Sequence, residues 1–235
     1  MAAFRSPKQP STTPTHSPEQ SRHIGSIVAV GLLSVAVALS LVALSREERV
    51  ASAKQLLDRQ LSWGDGRAVT QFQLLPEGAP PRALLTHALY LSRGVAPLGD
   101  SKDKQRILDI AQREIDEAIS SRPNWGEAWV VRAYIAFSRK NAVTPAMLAD
   151  LARSYTDGPL LREAGPWRIT MALRNWGAFT PAVQDRIVEE TVWLIQVSPP
   201  EARQTLFELA RESAAYERVF LRWRLFQLHE SGLTR

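Results

Sequence analysis

A run of 21 residues, Ile24 to Leu44 (IGSIVAVGLLSVAVALSLVAL), carries no charged side chain and is interrupted only by Ser and Gly. A helix apolar on every side has no face to offer water, so this stretch needs a core or a bilayer. At ~1.5 Å of rise per residue it reaches about 30 Å, the thickness of a hydrocarbon core. It also exceeds the ~7–15 residues of a secretory h-region. Of two A-x-A patterns, Ala36-Val37-Ala38 lies inside the run. The other, Ala51-Ser52-Ala53, lies beyond Arg46-Glu47-Glu48-Arg49 and leaves cleavage open. The expectation is an uncleaved transmembrane helix over 23–45. The small pair Ala36 and Ser40 is of a kind that arises by chance in an alanine-rich segment, and we assign it no packing role.

Flanking charges do not orient the span by themselves. Arg5, Lys8 and Arg22 precede it, while Arg46, Arg49, Lys54 and Arg59 follow, a count close to balanced and slightly adverse. Long domains translocate largely regardless of charge, and a short tail ahead of a signal-anchor stays cytoplasmic. The expected topology is therefore single-pass, N-terminus inside.

Residues 1–22 form a tail rich in Pro, Ser, Thr and Gln with too little apolar surface to offset ordering entropy, and are expected to be disordered. Residues 46–80 read as a helical extension and linker. Arg46 to Leu61 keeps helical composition, Trp63-Gly64-Asp65-Gly66 breaks it, and GRAVTQFQLL fits a helix or a short strand.

From 81 to 235 the pattern is helical throughout. In KQRILDIAQREIDEAISS the residues Ile107, Leu108, Ala111, Ile115, Ala118 and Ile119 fall at helical spacing, with charge on the other face. Thr144-Pro145, Thr180-Pro181 and Ser198-Pro199 read as helix starts, hydroxyl capping and proline in the first turn; Ser198 to Glu201 also fits a capping box. Gly158-Pro159 and Gly165-Pro166 mark breaks. About eight helices and no convincing strand pair result. The fold class is all-α.

Searching for chemistry is unrewarding. There is no cysteine, which excludes disulfides, thiolate metal sites and thiol nucleophiles. The net charge is +5, but Lys and Arg alternate with Asp and Glu, so no basic face suggests nucleic acid. His16, His23, His87 and His229 are scattered without metal-ligand spacing. No P-loop or G-x-S-x-G elbow occurs. Glu189-Glu190 and Asp116-Glu117 are neighbours that diverge on a helix and read as solvated faces. Gly99 to Asp103 lacks the length and glutamate of a calcium loop and reads as a polar turn. No catalytic, cofactor or metal site is expected. A glycan-modifying enzyme with paired carboxylates remains an alternative without a selected pair.

In RPNWGEAW, residues 122–129, a helix ends in a Pro-Asn turn and another begins. Ala111, Ile115, Ala118 and Pro123, followed by Trp129 and Ala133, resemble the junction between tetratricopeptide repeats, helix pairs that stack into solenoids. Arg132 and Ala136 depart from that pattern, where leucine and tyrosine are usual. Leu84 to Leu91 fits a partner helix, although Gly94 to Ser101 is long for a standard repeat. The resemblance implies a packing role for Trp129, while Trp125 fits packing or an exposed contact. Glu163 to Ile195, with Pro166-Trp167-Arg168-Ile169, Trp176, Pro181, Arg186 and Trp193, resembles anchored helical-repeat proteins associated with bacterial exopolysaccharide assembly. That second resemblance implies a periplasmic domain on the bacterial inner membrane, tied to envelope glycan assembly or export, and no catalytic residue.

These readings lead to a membrane-anchored scaffold or adaptor for a protein partner, with a periplasmic glycan-binding module as the alternative. The candidate partner-binding residues are Trp125, Tyr134, Trp167, Arg168 and Trp176. Tyr216, Val219, Phe220, Trp223 and Phe226 form a stripe expected to be the inner face of the last helix; the alternative, if that helix caps the array, is a partly exposed apolar docking patch with Arg222 and Arg224 at its rim.

Overall fold

The structure is a computed structural model describing residues 18–62 and 74–230; of residues 18–34 only the helical backbone is described, and a few further side chains near 56–62 and at 230 are likewise not described. The expected strand-or-helix segment 66–75 therefore lies mostly outside the described residues, as does most of the tail. Among the described residues the chain is all-helical, with no strand. The chain divides into two units, 1–47 and 48–235.

Helix α1 runs from Pro18 to Ser62. It begins five residues ahead of the span expected over 23–45. In the first unit the side chains of 35–44 are exposed on every side, among them Leu39 and Leu44 at 65%. Their hydroxyl groups bond within the helix: Ser40 Oγ donates to Ala36 O at 2.8 Å. Among the described residues no helix is long and apolar enough to cross a membrane; the side chains of 24–34, half of the expected span, lie outside that set.

The second unit holds eight further α-helices: α2 (Pro81–Gly94), α3 (Lys102–Ser121), α4 (Gly126–Lys140), α5 (Pro145–Asp157), α6 (Gly165–Arg174), α7 (Pro181–Val197), α8 (Pro200–Arg211) and α9 (Tyr216–Glu230). Single 3-10 turns follow α2 and α6. Helix α2 packs along α3, and α4 along α5, as helical hairpins; α4 also touches both α2 and α3. In the second half α7 is the hub, packed against α5, α6, α8 and α9.

Local chemistry explains the boundaries. Thr144 accepts from the Met147 N–H at 3.2 Å and Thr180 from that of Val183 at 3.4 Å, both ahead of a first-turn proline. Ser101 caps α3 in the same way, through the Lys104 N–H at 3.1 Å. The Ser198 cap is corrected: α8 starts one residue later, Pro199 is its N-cap with no side-chain bond, and Ser198 closes α7 instead. With two prolines in succession, the extended Pro199 takes the entry position and pushes Ser198 out of reach of the first free N–H groups.

Two cores share α4 as a common wall. Ala128, Val131 and Ile135 face α2 and α3, while Ala133 and the half-buried Phe137 face the cluster built from α5 to α9. Ala111, Ile115, Ala118 and Ala133, the small and branched residues of the repeat-like junction, are all 0% exposed. Close approach reaches its limit where α4 begins. A Cβ on Gly126 would sit 2.7 Å from Gly158 Cα, so the α5 C-terminus can touch α4 only with hydrogen on both.

Candidate functional site

Tyr134 on α4 and Trp167 on α6 meet edge to face, 5.3 Å between centroids at 84°, and Phe137 adds a second edge contact to the indole at 6.4 Å. All three rings are half-buried. The cluster thus joins α4 to α6, the first helices of successive hairpins. The two candidates that sequence places 33 positions apart form one feature.

Trp125 and Trp176 stand apart from that pair. Trp125 is the N-cap residue of α4; its Nε1 donates to Glu127 Oε2 at 3.1 Å and the Arg122 guanidinium lies 4.7 Å above its ring. Trp176 occupies the 3-10 turn after α6, with Arg218 of α9 at 5.4 Å from its ring. It lines a cleft of about 530 Å³ with Asn175, Leu209, Glu212 and Ser213. Trp129, expected to pack, is half-buried, anchored by Nε1 to Pro123 O at 2.8 Å and covered by Arg132 at 4.2 Å. Arg132 is itself held by Asp150, its Nε 3.0 Å from Oδ2.

Arg168 must be withdrawn from the surface candidates. It is 0% exposed, although its chain neighbour Trp167 is half-open. Its guanidinium makes a two-pronged ion pair with Glu190 of α7, Nε to Oε2 at 2.9 Å and Nη2 to Oε1. Nη1 donates to the carbonyls of Ser154 at 3.0 Å and Gly158 at 2.8 Å, and Nη2 to that of Pro159 at 3.3 Å. Ser154 O also accepts the Gly158 N–H at 2.9 Å, while the carbonyls of Gly158 and Pro159 lie just past the end of α5, so Arg168 gathers that helix end from within the core. Glu190 completes the network by accepting the Leu161 N–H at 2.8 Å. A buried planar fork is the geometry that guanidinium satisfies and an ammonium does not.

Glu190 is the second correction. Its reading as a solvated face fails because adjacent residues on a helix point apart: Glu189 is exposed and Glu190 is 0% exposed. Burial pushes its carboxyl above the usual range, opposed by the bonds from Arg168. Tyr155 packs beneath, with the guanidinium carbon 4.1 Å from its ring centre. Its hydroxyl is buried close enough to Glu190 for the two groups to influence one another, but makes no hydrogen bond of ordinary geometry among the described residues. Burial, then the charge of Glu190, raises its pKa well above the ordinary value.

A third group escaped the sequence reading. His87 of α2, 1% exposed, places Nδ1 at 2.9 and 2.8 Å from the two oxygens of Glu114 on α3 and stacks on Tyr90 at 5.9 Å. A carboxylate orienting an imidazole is two thirds of a nucleophilic triad. Here Nε2 is buried and meets no hydroxyl within bonding distance among the described residues, so the pair acts as a polar pin between α2 and α3. Asp116 and Glu117 are exposed, as the pattern of α3 predicts. Asp100, in the polar turn, pairs with Lys104 Nζ at 3.1 Å.

The stripe on α9 divides. Val219 is buried and Trp223 and Phe226 are half-buried, but Tyr216 and Phe220 are 37% and 39% exposed. With Phe207, Arg203, Arg211 and Pro200 they line a shallow groove of about 390 Å³ along α8. Phe207 meets Trp223 edge to face at 4.9 Å beneath it.

Signals for the missed residues were present. Glu190 lies three residues after Ile187 and four before Leu194, on the apolar stripe of α7; Arg168 sits likewise between Gly165 and Ala172 on α6. A charge on each of two apolar faces calls for a partner. No family model, curated protein or solved structure matches the chain.

Proposed function

We propose that the protein is a single-pass membrane-anchored helical scaffold whose hairpin domain binds a protein partner, with the Tyr134–Trp167 cluster at the centre of the contact. The observation that carries this reading is the cluster itself. Half-open aromatic rings bridge successive hairpins, and their inner sides are fixed by the core while Arg168 locks α6 from behind. Rigid aromatic anchors with low entropy to lose are what protein contacts concentrate on. Stacked helical hairpins present such residues along a shared surface.

Anchoring is supported by the exposed, charge-free side chains of 35–44 and by serine hydroxyls satisfied within the helix, as a lipid environment requires. The topology read from the sequence puts the tail in the cytoplasm and the hairpins in the periplasm. The resemblance of 163–195 favours a partner in exopolysaccharide assembly or export.

Ring geometry favours a protein partner over a glycan. Sugars stack on open, flat aromatic faces, yet Trp125, Trp129 and Trp176 each have a guanidinium over one face, at 4.7, 4.2 and 5.4 Å. Tyr134 and Trp167 are perpendicular and form no common platform. The test is a photo-reactive amino acid placed at position 134 in the full-length protein in cells, with adducts identified by mass spectrometry. A discrete envelope-protein adduct supports the scaffold. A glycan adduct, or position 134 yielding no more than exposed Arg113 on α3, rejects it.

A further inference from the structure

Helix α9 is apolar on two opposite sides. Val219, 1% exposed, turns inward with Trp223 and Phe226, while Leu221 and Leu225 point outward at 61% and 57% exposure, and the half-buried Leu228 continues their spacing. The steps 221, 225, 228 are i, i+4, i+7, the seam of a seven-residue repeat. With Leu225 in the a position and Leu221 and Leu228 in d, Arg218 falls on the preceding a position but is drawn aside by its ion pair with Asp185 of α7; Glu217 and Arg224 occupy the g flank and Arg222 the e flank. Among the described residues the side chains of Glu217, Arg222 and Arg224 make no hydrogen bond or ion pair.

We infer that α9 pairs with α9 of a second copy of this chain, parallel and in register, about a twofold axis along the helix. In that arrangement each leucine meets its own equivalent. The g residue of one helix faces the e residue five positions on in the other, so Glu217 meets Arg222 of the second copy twice by symmetry. An antiparallel alignment of the same leucines instead sets Arg224 against Arg224, a like-charge contact. The charge of the whole hairpin agrees. Between Pro200 and Glu230 five arginines balance five glutamates, in a chain whose net charge is +5. A neutral, mixed surface complements itself and offers nothing to a strongly acidic protein or an anionic bilayer. Two heptads alone do not hold a coiled coil, but the inner face already fixes α9 as a helix, so the pairing has no nucleation cost to meet.

The natural chain contains no cysteine, which makes the test direct. In the full-length protein in detergent micelles, Leu221→Cys brings two thiols within the ~4.4–6.8 Å Cα separation that a disulfide spans. Oxidation is expected to give covalent dimers from Leu221→Cys and not from Lys102→Cys, at the exposed start of α3. The unmodified protein is expected to sediment as a dimer and Leu221→Lys/Leu225→Lys as a monomer with an unchanged melting temperature. Glu217→Arg is expected to weaken the dimer severalfold, and Glu217→Arg/Arg222→Glu to restore it, since flanking pairs are matched again. Equal disulfide yields at both positions, a monomeric unmodified protein at high micromolar concentration, or a dimer that survives the lysine pair would each overturn the inference.

Discussion

Arg168 holds three things at once: the Glu190 carboxylate, the carbonyls of Ser154, Gly158 and Pro159, and the ring face of Tyr155. Removing one side of a buried pair leaves an uncompensated charge, at a cost of about 3–5 kcal/mol, so Glu190→Leu should lower stability by that amount. Replacing both ions by apolar residues often restores stability, yet Arg168→Met/Glu190→Leu should not return to the natural value. The carbonyls of Gly158 and Pro159 lose the guanidinium, each costing on the order of 1 kcal/mol or more, while Ser154 O keeps the Gly158 N–H. Chemical denaturation of the three proteins checks this. A double variant as stable as the natural protein would show that capping α5 contributes nothing.

Tyr155 supplies the pH test. Its folded-state pKa lies above the unfolded value of about 10, so its contribution is intact below pH ~10 and is lost as pH rises beyond. Tyr155→Phe should reduce the loss of stability on the alkaline side. At neutral pH it should cost less than about 1 kcal/mol, because the deleted hydroxyl made no hydrogen bond of ordinary geometry among the described residues. Melting curves across that range decide it, and an unchanged alkaline slope would contradict the burial argument.

At the scale of elements the Gly126–Gly158 contact sets how closely α4 and the end of α5 approach. A Cβ at 126 meets Gly158 backbone at 2.7 and 2.8 Å, whereas one at 158 meets Gly126 Cα at 3.0 Å. Gly126→Ala should therefore cost about 1–3 kcal/mol, on the scale of core overpacking, and Gly158→Ala less. At roughly 2–4 °C per kcal/mol the first should lower the melting temperature by several degrees. Equal shifts would mean that the loop at 158 yields freely.

The same scale shows what could be read from sequence. Thr144 and Thr180 were legible because a cap involves three or four consecutive residues. Ser198 was misread because its neighbour Pro199 competes for the same role. Arg168 was misread because its burial depends on α5, α6 and α7 arriving together; its place on the apolar face of α6, between Gly165 and Ala172, calls for a partner without saying which. Glu190 hid behind Glu189, since a doubled charge looks solvated until helical phase separates the two. Tyr134 and Trp167 were each singled out, but their meeting is a property of how hairpins stack.

For the whole molecule, the account joins an apolar N-terminal helix to a domain of hairpins that exposes aromatic rings on first helices and leucines on its last. The buried polar pairs, His87–Glu114 in one core and Arg168–Glu190 in the other, each tie two neighbouring helices together. The most direct measurement compares photo-cross-linking in cells from a fixed reporter at Ser138 on α4, in the natural background and in Tyr134→Ala/Trp167→Ala. A defined partner adduct is expected to fall at least about tenfold in the double variant, as loss of a central aromatic pair should cause, at a temperature below the double variant's own melting point, which drops because Trp167 packs against the core. An adduct of undiminished yield would show that the partner, if any, is held elsewhere, and would contradict the claim that this aromatic cluster is the binding surface.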